Sequence, residues 1–451
     1  MNDSIVIAGG GIISIYAAIF MAKKYKDVTI IEKSSSIGGL LSSFQINNLA
    51  YDYGTHVPGL TGQEEIDGIL FGSSSEISKH WNFFPYLKSE NYFNEKWNRS
   101  SPLIDITTLE NDLYSQACDE LLTLPSTNTN DTNLYTFLRN AFGPTITENV
   151  YRPVFKKLLQ AELEDLHSDL LRLFGLQRVV AFTPERSREL KKEPKYDSKI
   201  AYHSYTEGSP PLGYYYPKGE QGIGQWISLL TDQLKSSGVT ILTDRTIKKI
   251  NQNESRVTSV ELNDGALLNC DNLIWSLPAA LAQLALGQQP SPPPGFTNTS
   301  LFHFEVDTPI LKTFPHYLLC WEPSFLSYRI TLYPNLRTSK APRHNITVEV
   351  LSDKSIKDNL DKVEAKVFQE MKSLEVIAPS AKILNSKHEF VGPSFPQITE
   401  SFVKNQMTQA RSLEGSLRNF HLIGRGSGKG FFINDLLKNC HTTLKEISKN
   451  G

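Results

Sequence analysis

The stretch Ser4-Ile5-Val6-Ile7-Ala8-Gly9-Gly10-Gly11-Ile12, followed closely by Val28-Thr29-Ile30-Ile31-Glu32, decides how the rest of the chain is read. Ser4 to Ala8 is a short apolar run, β-branched at its centre and ended by three glycines, the pattern of a buried parallel strand. Ile12 to Lys24, rich in Ala, Ile and Met, reads as a mostly buried helix, and Val28 to Glu32 as a second buried strand ending in an acid. Strand, glycine turn, helix and strand in about 30 residues make a βαβ unit. Inside it stands Gly9-x-Gly11-x-x-Ser14. The first glycine permits the tight turn, and the second lets backbone N–H groups approach a pyrophosphate at the positive end of the helix. Ser14 replaces the usual third Gly or Ala and is still small enough for close helix–strand packing. Glu32, with Lys33 beside it, ends the second strand where a carboxylate accepts hydrogen bonds from ribose hydroxyls. An acid there argues against a 2′-phosphate, which prefers arginine.

Beyond this unit, the text from about Gln63 to Glu193 is helix-like between polar loops: Asp67–Phe71, Leu134–Phe142, and Ile146–Leu159 with an expected break at Pro153. Ser126 to Thr132 reads as a polar joint, and the charged stretch Glu185 to Lys199 as a solvated loop or frayed helix. After the Tyr214-Tyr215-Tyr216 run comes a helix over Gly222–Ser236, stopped by Gly238. Four short strands follow: Val239–Leu242, Ile247–Ile250, Val257–Leu262 and Leu267–Asn269, with Asn263-Asp264-Gly265 as a hairpin turn between the last two. Asn272 to Ser276 is a further buried strand, and Pro278 opens a helix. Pro290 to Gly295 is the sharpest linker and an expected domain crossing. Past it lie strand-like runs at Tyr317–Trp321, Tyr328–Tyr333 and Ile346–Val350, a helix over about Ser355–Leu374, and a last strand, Phe420–Gly424, before a helix from about Asn434.

Composition narrows the classes. The 451 residues hold 46 Lys plus Arg against 48 Asp plus Glu, a formal charge of −2, with 39% hydrophobic residues. That is an ordinary globular balance for two to four domains, with no electrostatic footprint for nucleic acid or anionic lipid. Cys118, Cys270, Cys320 and Cys440 are scattered, so neither a disulfide framework nor a zinc site is expected, and buried thiols in a reducing cytoplasm are the simplest reading. The histidines form no H-x-H or H-E-x-x-H pattern, and no metal is expected. No run reaches the roughly 18 apolar residues of a membrane span. The expectation is a cytoplasmic protein.

Ile37-Gly38-Gly39-Leu40-Leu41-Ser42-Ser43 and Tyr51-Asp52-Tyr53-Gly54-Thr55-His56 follow Glu32. They resemble the second glycine motif of the amine oxidase, protoporphyrinogen oxidase and UDP-galactopyranose mutase superfamily of flavoproteins. The resemblance continues over Gly219–Leu281 and returns at Gly424-Arg425-Gly426-x-Gly428 with Asp435 in the last helix, about a third of the chain in all. It implies FAD as cofactor. It also implies an α/β fold: a Rossmann-like, glutathione-reductase-type FAD domain assembled from segments 1–60, 214–286 and 412–451. Segments 61–213 and 287–411 would form a mixed α+β substrate domain. Carried over residue by residue, Gly9, Gly11 and Ser14 would cradle the pyrophosphate, and Glu32 would hold the ribose. Gly38, Gly39 and Leu40 would line the flavin, and the Ile247 backbone would meet adenine. Gly424 and Arg425 would lie near the ribityl and pyrophosphate, with Asn434 and Asp435 at the closing helix. The arginines that normally flank the Gly-Gly pair are absent, with Ser36 and Leu40 in their places. Arg425, in place of the acid common in amine oxidases, leans toward the mutase and protoporphyrinogen-oxidase-like branches.

A flavin supplies the hard chemistry, so few catalytic groups are expected from the protein. His56 is the first candidate for acid–base or hydrogen-bond donor work, or else a structural histidine bonding backbone. Tyr328-Arg329 resembles a stretch of the mutase-like branches whose arginine contacts an anionic substrate group; a plain ion pair, with Glu349 as partner, is the alternative. The aromatic runs Trp81–Tyr86 and Tyr214–Tyr216 wall a ring-shaped substrate or pack a core. These readings imply an FAD-dependent oxidoreductase acting on a small polar substrate in an interdomain cleft. The alternatives are a mutase-like non-redox flavoenzyme acting on a nucleotide sugar, and a flavin-binding partner subunit without turnover.

Overall fold

The computed structural model describes residues 4–125, 130–208, 211–337, 344–352 and 354–450; residues 126–129 of the expected polar joint lie outside them. Five parallel strands form one sheet in the order Phe420–Leu422, Asn272–Trp275, Ser4–Ala8, Asp27–Ile31, Thr240–Leu242. Ala8 stands opposite Trp275 and Ile31, Trp275 opposite Leu422, and Ile31 opposite Leu242. All five strands therefore end on one line, and the loops that follow them leave from one edge, where ligands of open α/β sheets bind. Alternation along the first strand sets the layers. Ile5 and Ile7 join the core under the helices Ile12–Met21, Gly224–Ser236 and Ile433–Asn450. Val6 and Ala8 join the core under an antiparallel meander of Ile247–Asn253, Arg256–Leu262 and Leu267–Asn269. With both faces covered, these strands read as unbroken apolar runs.

A second, seven-stranded sheet runs Ile383–Pro396, Phe296–Val306, Asn345–Ser352, Ser327–Leu332, Tyr317–Cys320, Ser89–Phe93, Lys96–Asn98. Tyr317–Cys320 and Ser89–Phe93 pair in parallel, so the two expected substrate segments share one sheet although more than two hundred positions separate them. One face, with Phe302, Phe304, Ile330, Val348 and Val350, is buried under the helix Leu360–Ser373. The other carries Thr299, His303, Arg329, Thr331, Thr347 and Glu349 and looks toward the nucleotide domain. A helical block spanning 134–174 closes the side of that face.

Several expectations change. The expected cut at residue 60 falls too early: Ile66, Ile69, Leu70, Phe71 and Trp81 belong to the same core as the Ile12–Met21 helix. The boundary at 412 falls inside the helix Glu400–Ser416, which packs Phe402 and Val403 on the helical block and Ala410 and Leu413 on the nucleotide domain. Pro153 does not end the helix: Thr147–Tyr151 runs into Arg152–Leu159 as a widened π-helical turn, and that local irregularity accommodates the missing N–H. The chain bends upstream instead, at Gly143, with φ +89°. Of the two readings of Glu185 to Lys199 the helical one holds: the stretch forms the short helices Pro184–Leu190 and Pro194–Asp197, although Lys191 and Lys199 are buried. All four cysteines are free thiols, three of them buried. Among the described residues no helix is long and apolar enough to cross a membrane.

Candidate functional site

The glycine loop opens from the shared strand edge. At Gly9 (φ +95°) a Cβ would stand 2.5 Å from the Ser276 hydroxyl, so both the backbone sign and the space demand glycine. Gly10 donates its N–H to one Glu32 carboxylate oxygen at 2.7 Å, and Ser34 donates to the other at 2.8 Å. The Gly38 N–H donates to the Gly10 carbonyl at 2.8 Å and draws the second glycine turn back onto the first. Gly11 caps the Ile12–Met21 helix with no side-chain hydrogen bond, and nothing lies within 4 Å of where its Cβ would be. A helix whose first amides have no side-chain cap and face open space is a ready anion cradle, and the residues present fit the pyrophosphate of a dinucleotide.

The other nucleotide-side candidates divide. Ser14 is fully buried, and its hydroxyl donates to Ser276 at 2.7 Å, while Ser276 donates to the Ala8 carbonyl at 2.8 Å. Its work is to tie helix to strand, not to face a ligand. Glu32 exchanges backbone bonds with Leu242 and Arg245, which brings the strand starting at Ile247 alongside. Lys33 is exposed next to it. Gly39 (φ +58°) has open space where a Cβ would be, and Leu40 is 49% exposed at the rim of a cavity.

That cavity, about 490 Å³, lies between the two sheets and is lined by the 40–41 turn, the 55–59 loop, Arg329 and Glu349, Arg425, and the 430–434 loop. Arg329 and Glu349 face each other on neighbouring strands and form a bidentate pair at 2.7 and 2.8 Å. Burial opposes the Arg329 charge, but the Glu349 carboxylate outweighs it and holds the guanidinium pKa above its ordinary value. Glu349 also accepts the Thr55 N–H at 2.9 Å. Tyr328 lies elsewhere. The register slips by one residue between Ser327 and Arg329, and Tyr328, 4% exposed, packs on Trp321 and Phe174 in the helical core instead of lining the cavity. A bulge re-aims a side chain in this way, which a two-residue sequence match does not reveal.

His56 lines the cavity, and its Nε2 donates to the Tyr53 carbonyl at 3.1 Å, since a carbonyl only accepts. Burial, and then the nearby Arg329 charge, push its pKa down to about 4, so it is neutral at pH 7. Arg425 is exposed to the cavity, and its guanidinium makes no hydrogen bond or ion pair among the described residues. Its neighbour Gly426 is sterically obligatory: a Cβ there would stand 2.5 Å from the Leu277 carbonyl oxygen. Gly424 takes φ +67° beside Ser276. Asn434 lines the cavity and donates to the Leu60 carbonyl at 2.9 Å. Asp435 is held by Arg172 at 2.6 Å and joins the nucleotide domain to the helical block.

Two residues escaped the sequence reading. Asp52 is fully buried and accepts from Ser43 at 2.6 Å, Tyr216 at 2.7 Å and the Ile223 N–H at 2.9 Å, while its own N–H donates to the Tyr333 hydroxyl at 2.7 Å. Burial raises its pKa and the three donors oppose the rise. It anchors the loop that carries His56, and its place in the Tyr51–His56 stretch was the available signal. Thr299 lines the cavity with a buried hydroxyl that has no partner among the described residues. The polar run Thr297-Asn298-Thr299-Ser300 in a buried strand marks it.

Residues 7–65 match an NAD(P)-binding Rossmann-like domain. No curated protein matches the chain in sequence. A structure of reduced UDP-galactopyranose mutase superposes with a TM-score of 0.78 at 18% identity, covering 100% of this chain and 95% of that one. A structure from Exiguobacterium sp. 255-15, provisionally assigned as a protoporphyrinogen oxidase, gives 0.71 at 12% identity with full coverage of both. Putrescine oxidase bound to putrescine gives 0.63 at 11% identity, over 100% and 99%. The chain therefore has an amino-terminal NAD(P)-binding Rossmann-like domain, in a fold that it shares with the UDP-galactopyranose mutase and putrescine oxidase structures.

Proposed function

We infer that the protein is an FAD-dependent oxidoreductase acting on a small polar substrate in the cavity between its two sheets. The observation that carries this reading is the continuity of one ligand path: an uncapped helix N-terminus at Gly11, the Gly38–Leu41 turn drawn onto it, and the cavity beyond. Such a cofactor supplies hydride or electron transfer when bound. The chain supplies the rest. The Gly10 amide is spent on Glu32, so the pyrophosphate falls to amides from Gly11 onward, and Glu32 keeps lone pairs for ribose hydroxyls. His56 presents an unprotonated Nδ1 at neutral pH, because its proton is held on Nε2 by Tyr53; with its pKa held near 4 it suits accepting a hydrogen bond from a substrate donor while staying neutral. Arg329, neutralised by Glu349, orients through its remaining N–H groups without net charge, and Arg425 is the cation left to attract an anionic group. The test is to supply the purified protein with FAD, record the visible spectrum, and screen amines, sugars and NAD(P)H for anaerobic bleaching. A protein that stays colourless and takes up no FAD ends the reading.

A second reading, non-redox rearrangement of a nucleotide sugar, draws support from the mutase superposition and from Arg425. Dithionite-reduced protein incubated with UDP-galactopyranose then yields an isomerised sugar; absence of both binding and turnover rejects it.

A further inference from the structure

The seven-stranded sheet ends on one side in its longest strand, Ile383–Pro396, fourteen residues paired along one edge only, with Phe296–Val306. Among the described residues no other strand covers its outer edge. Such an edge presents a row of unpaired N–H and C=O groups, and proteins usually blunt it with prolines, charges or bulges. Here Pro393, Pro396 and the register shifts beside Ser394 and Val391 blunt the end that borders the cavity, and a third shift lies beside Leu384, so 385–390 is the regular, proline-free part of the edge. From Ile383 to Val391 there is no proline, and Ile383 and Leu384 expose apolar side chains at 37% and 57%.

The charge pattern of this half is self-complementary. Lys387 and Glu389 share one face and pair at 2.6 Å. His388 lies on the other face, 3.3 Å from Glu364. An antiparallel second copy with its two-fold axis at His388 sets Lys387 opposite Glu389 of the copy, twice. Shifting the axis to Lys387 or to Glu389 sets like charges opposite themselves, which is unfavourable on directly facing positions. We propose that this edge is a homodimer interface, in which two copies join their sheets by antiparallel pairing of residues 386–390 about His388. The pairing is isologous, so it closes after two chains and leaves no further edge to grow from.

Sedimentation equilibrium on the full-length protein measures the outcome. The expected mass is twice the 50.7 kDa of one chain. Lys387→Glu and Glu389→Lys each set two like-charge pairs across the axis and weaken dimerisation at least tenfold, while the double variant restores the pairs and the dimer. As a check independent of affinity, His388→Cys brings two thiols face to face and gives a dimer linked by a disulfide in non-reducing gels. A monomer at every concentration overturns the proposal. So does a dimer indifferent to both single variants, or one that the double swap fails to restore while circular dichroism remains native. A His388→Cys dimer that stays unlinked under mild oxidation places the contact elsewhere and overturns it as well.

Discussion

The two sheets solve opposite problems. The five-stranded parallel sheet is apolar on both faces, with Ile5 and Ile7 under helices and Val6 and Ala8 under the meander, so it meets a ligand only at its strand ends. The seven-stranded sheet hides one face under Leu360–Ser373 and turns the other, bearing Thr299, His303, Arg329 and Glu349, toward the nucleotide domain. In the proposed reading the first sheet offers backbone amides to the cofactor and needs glycine. The second offers side chains to the proposed substrate and needs buried polar groups kept in partnership. Damage should therefore differ in kind: loss of ligand without loss of fold in the first sheet, loss of fold in and around the second.

The largest effect separates these outcomes. Gly11→Val adds a side chain to open space, so apo stability stays within ~0.5 kcal/mol of the parent while FAD affinity falls by about a hundredfold or more. Thermal melts and flavin fluorescence titration measure the two sides; a variant that keeps its flavin contradicts the cradle. At the seam between the sheets, Asp52→Ala strips the acceptor from three donors, two of them buried, and costs ~3 kcal/mol in urea unfolding. A loss below ~1 kcal/mol means the hub is not closed in solution.

Acid gives a graded version of the comparison. Burial is the first cause holding the folded pKa of His303 at about 3, and those of His316, His421 and His56 at about 4. Unfolded histidine titrates near ~6.5, so between that pH and about 4 the unfolded chain binds more protons. Stability is therefore full above pH 6.5 and falls as pH drops toward 4. His303 and His316 belong to the mixed sheet and its approaches, against His421 alone in the parallel sheet. Hydrogen exchange at pH 5 should accordingly open the mixed sheet first; equal opening of both sheets breaks the contrast. The smallest effect concerns Ser14→Ala, which removes one buried bond to Ser276 for ~1 kcal/mol and leaves FAD bound. Loss of flavin on that change restores Ser14 to the cofactor side.

The nucleotide loop was legible because its determinants are local. Positive φ at Gly9 and Gly38, the strand on either side, and the acid closing the second strand all lie within 40 residues of the start. The strands Ser89–Phe93 and Ile383–Pro396 were not legible. Each draws its strand character from a partner far along the chain: Ser89 from Tyr317, and Lys387 from His303. Arg329 and Glu349 were individually visible as a candidate and its possible partner, but only the slip beside Ser327 decided that Arg329 meets the cavity while Tyr328 enters the helical core.

The order of residues alone determined the parallel crossover, its glycines and its closing acid, because short-range sterics and strand burial leave them few alternatives. Tertiary structure decided which polar groups become partners. Asp52 is a hub only because Tyr216, Ile223 and Tyr333 arrive from segments far away along the chain, and Arg425 makes no ion pair among the described residues because the carboxylate in its cavity, Glu349, is taken by Arg329. Buried polar groups take their meaning from whatever the fold brings within hydrogen-bonding distance, and that distance is not written in sequence spacing.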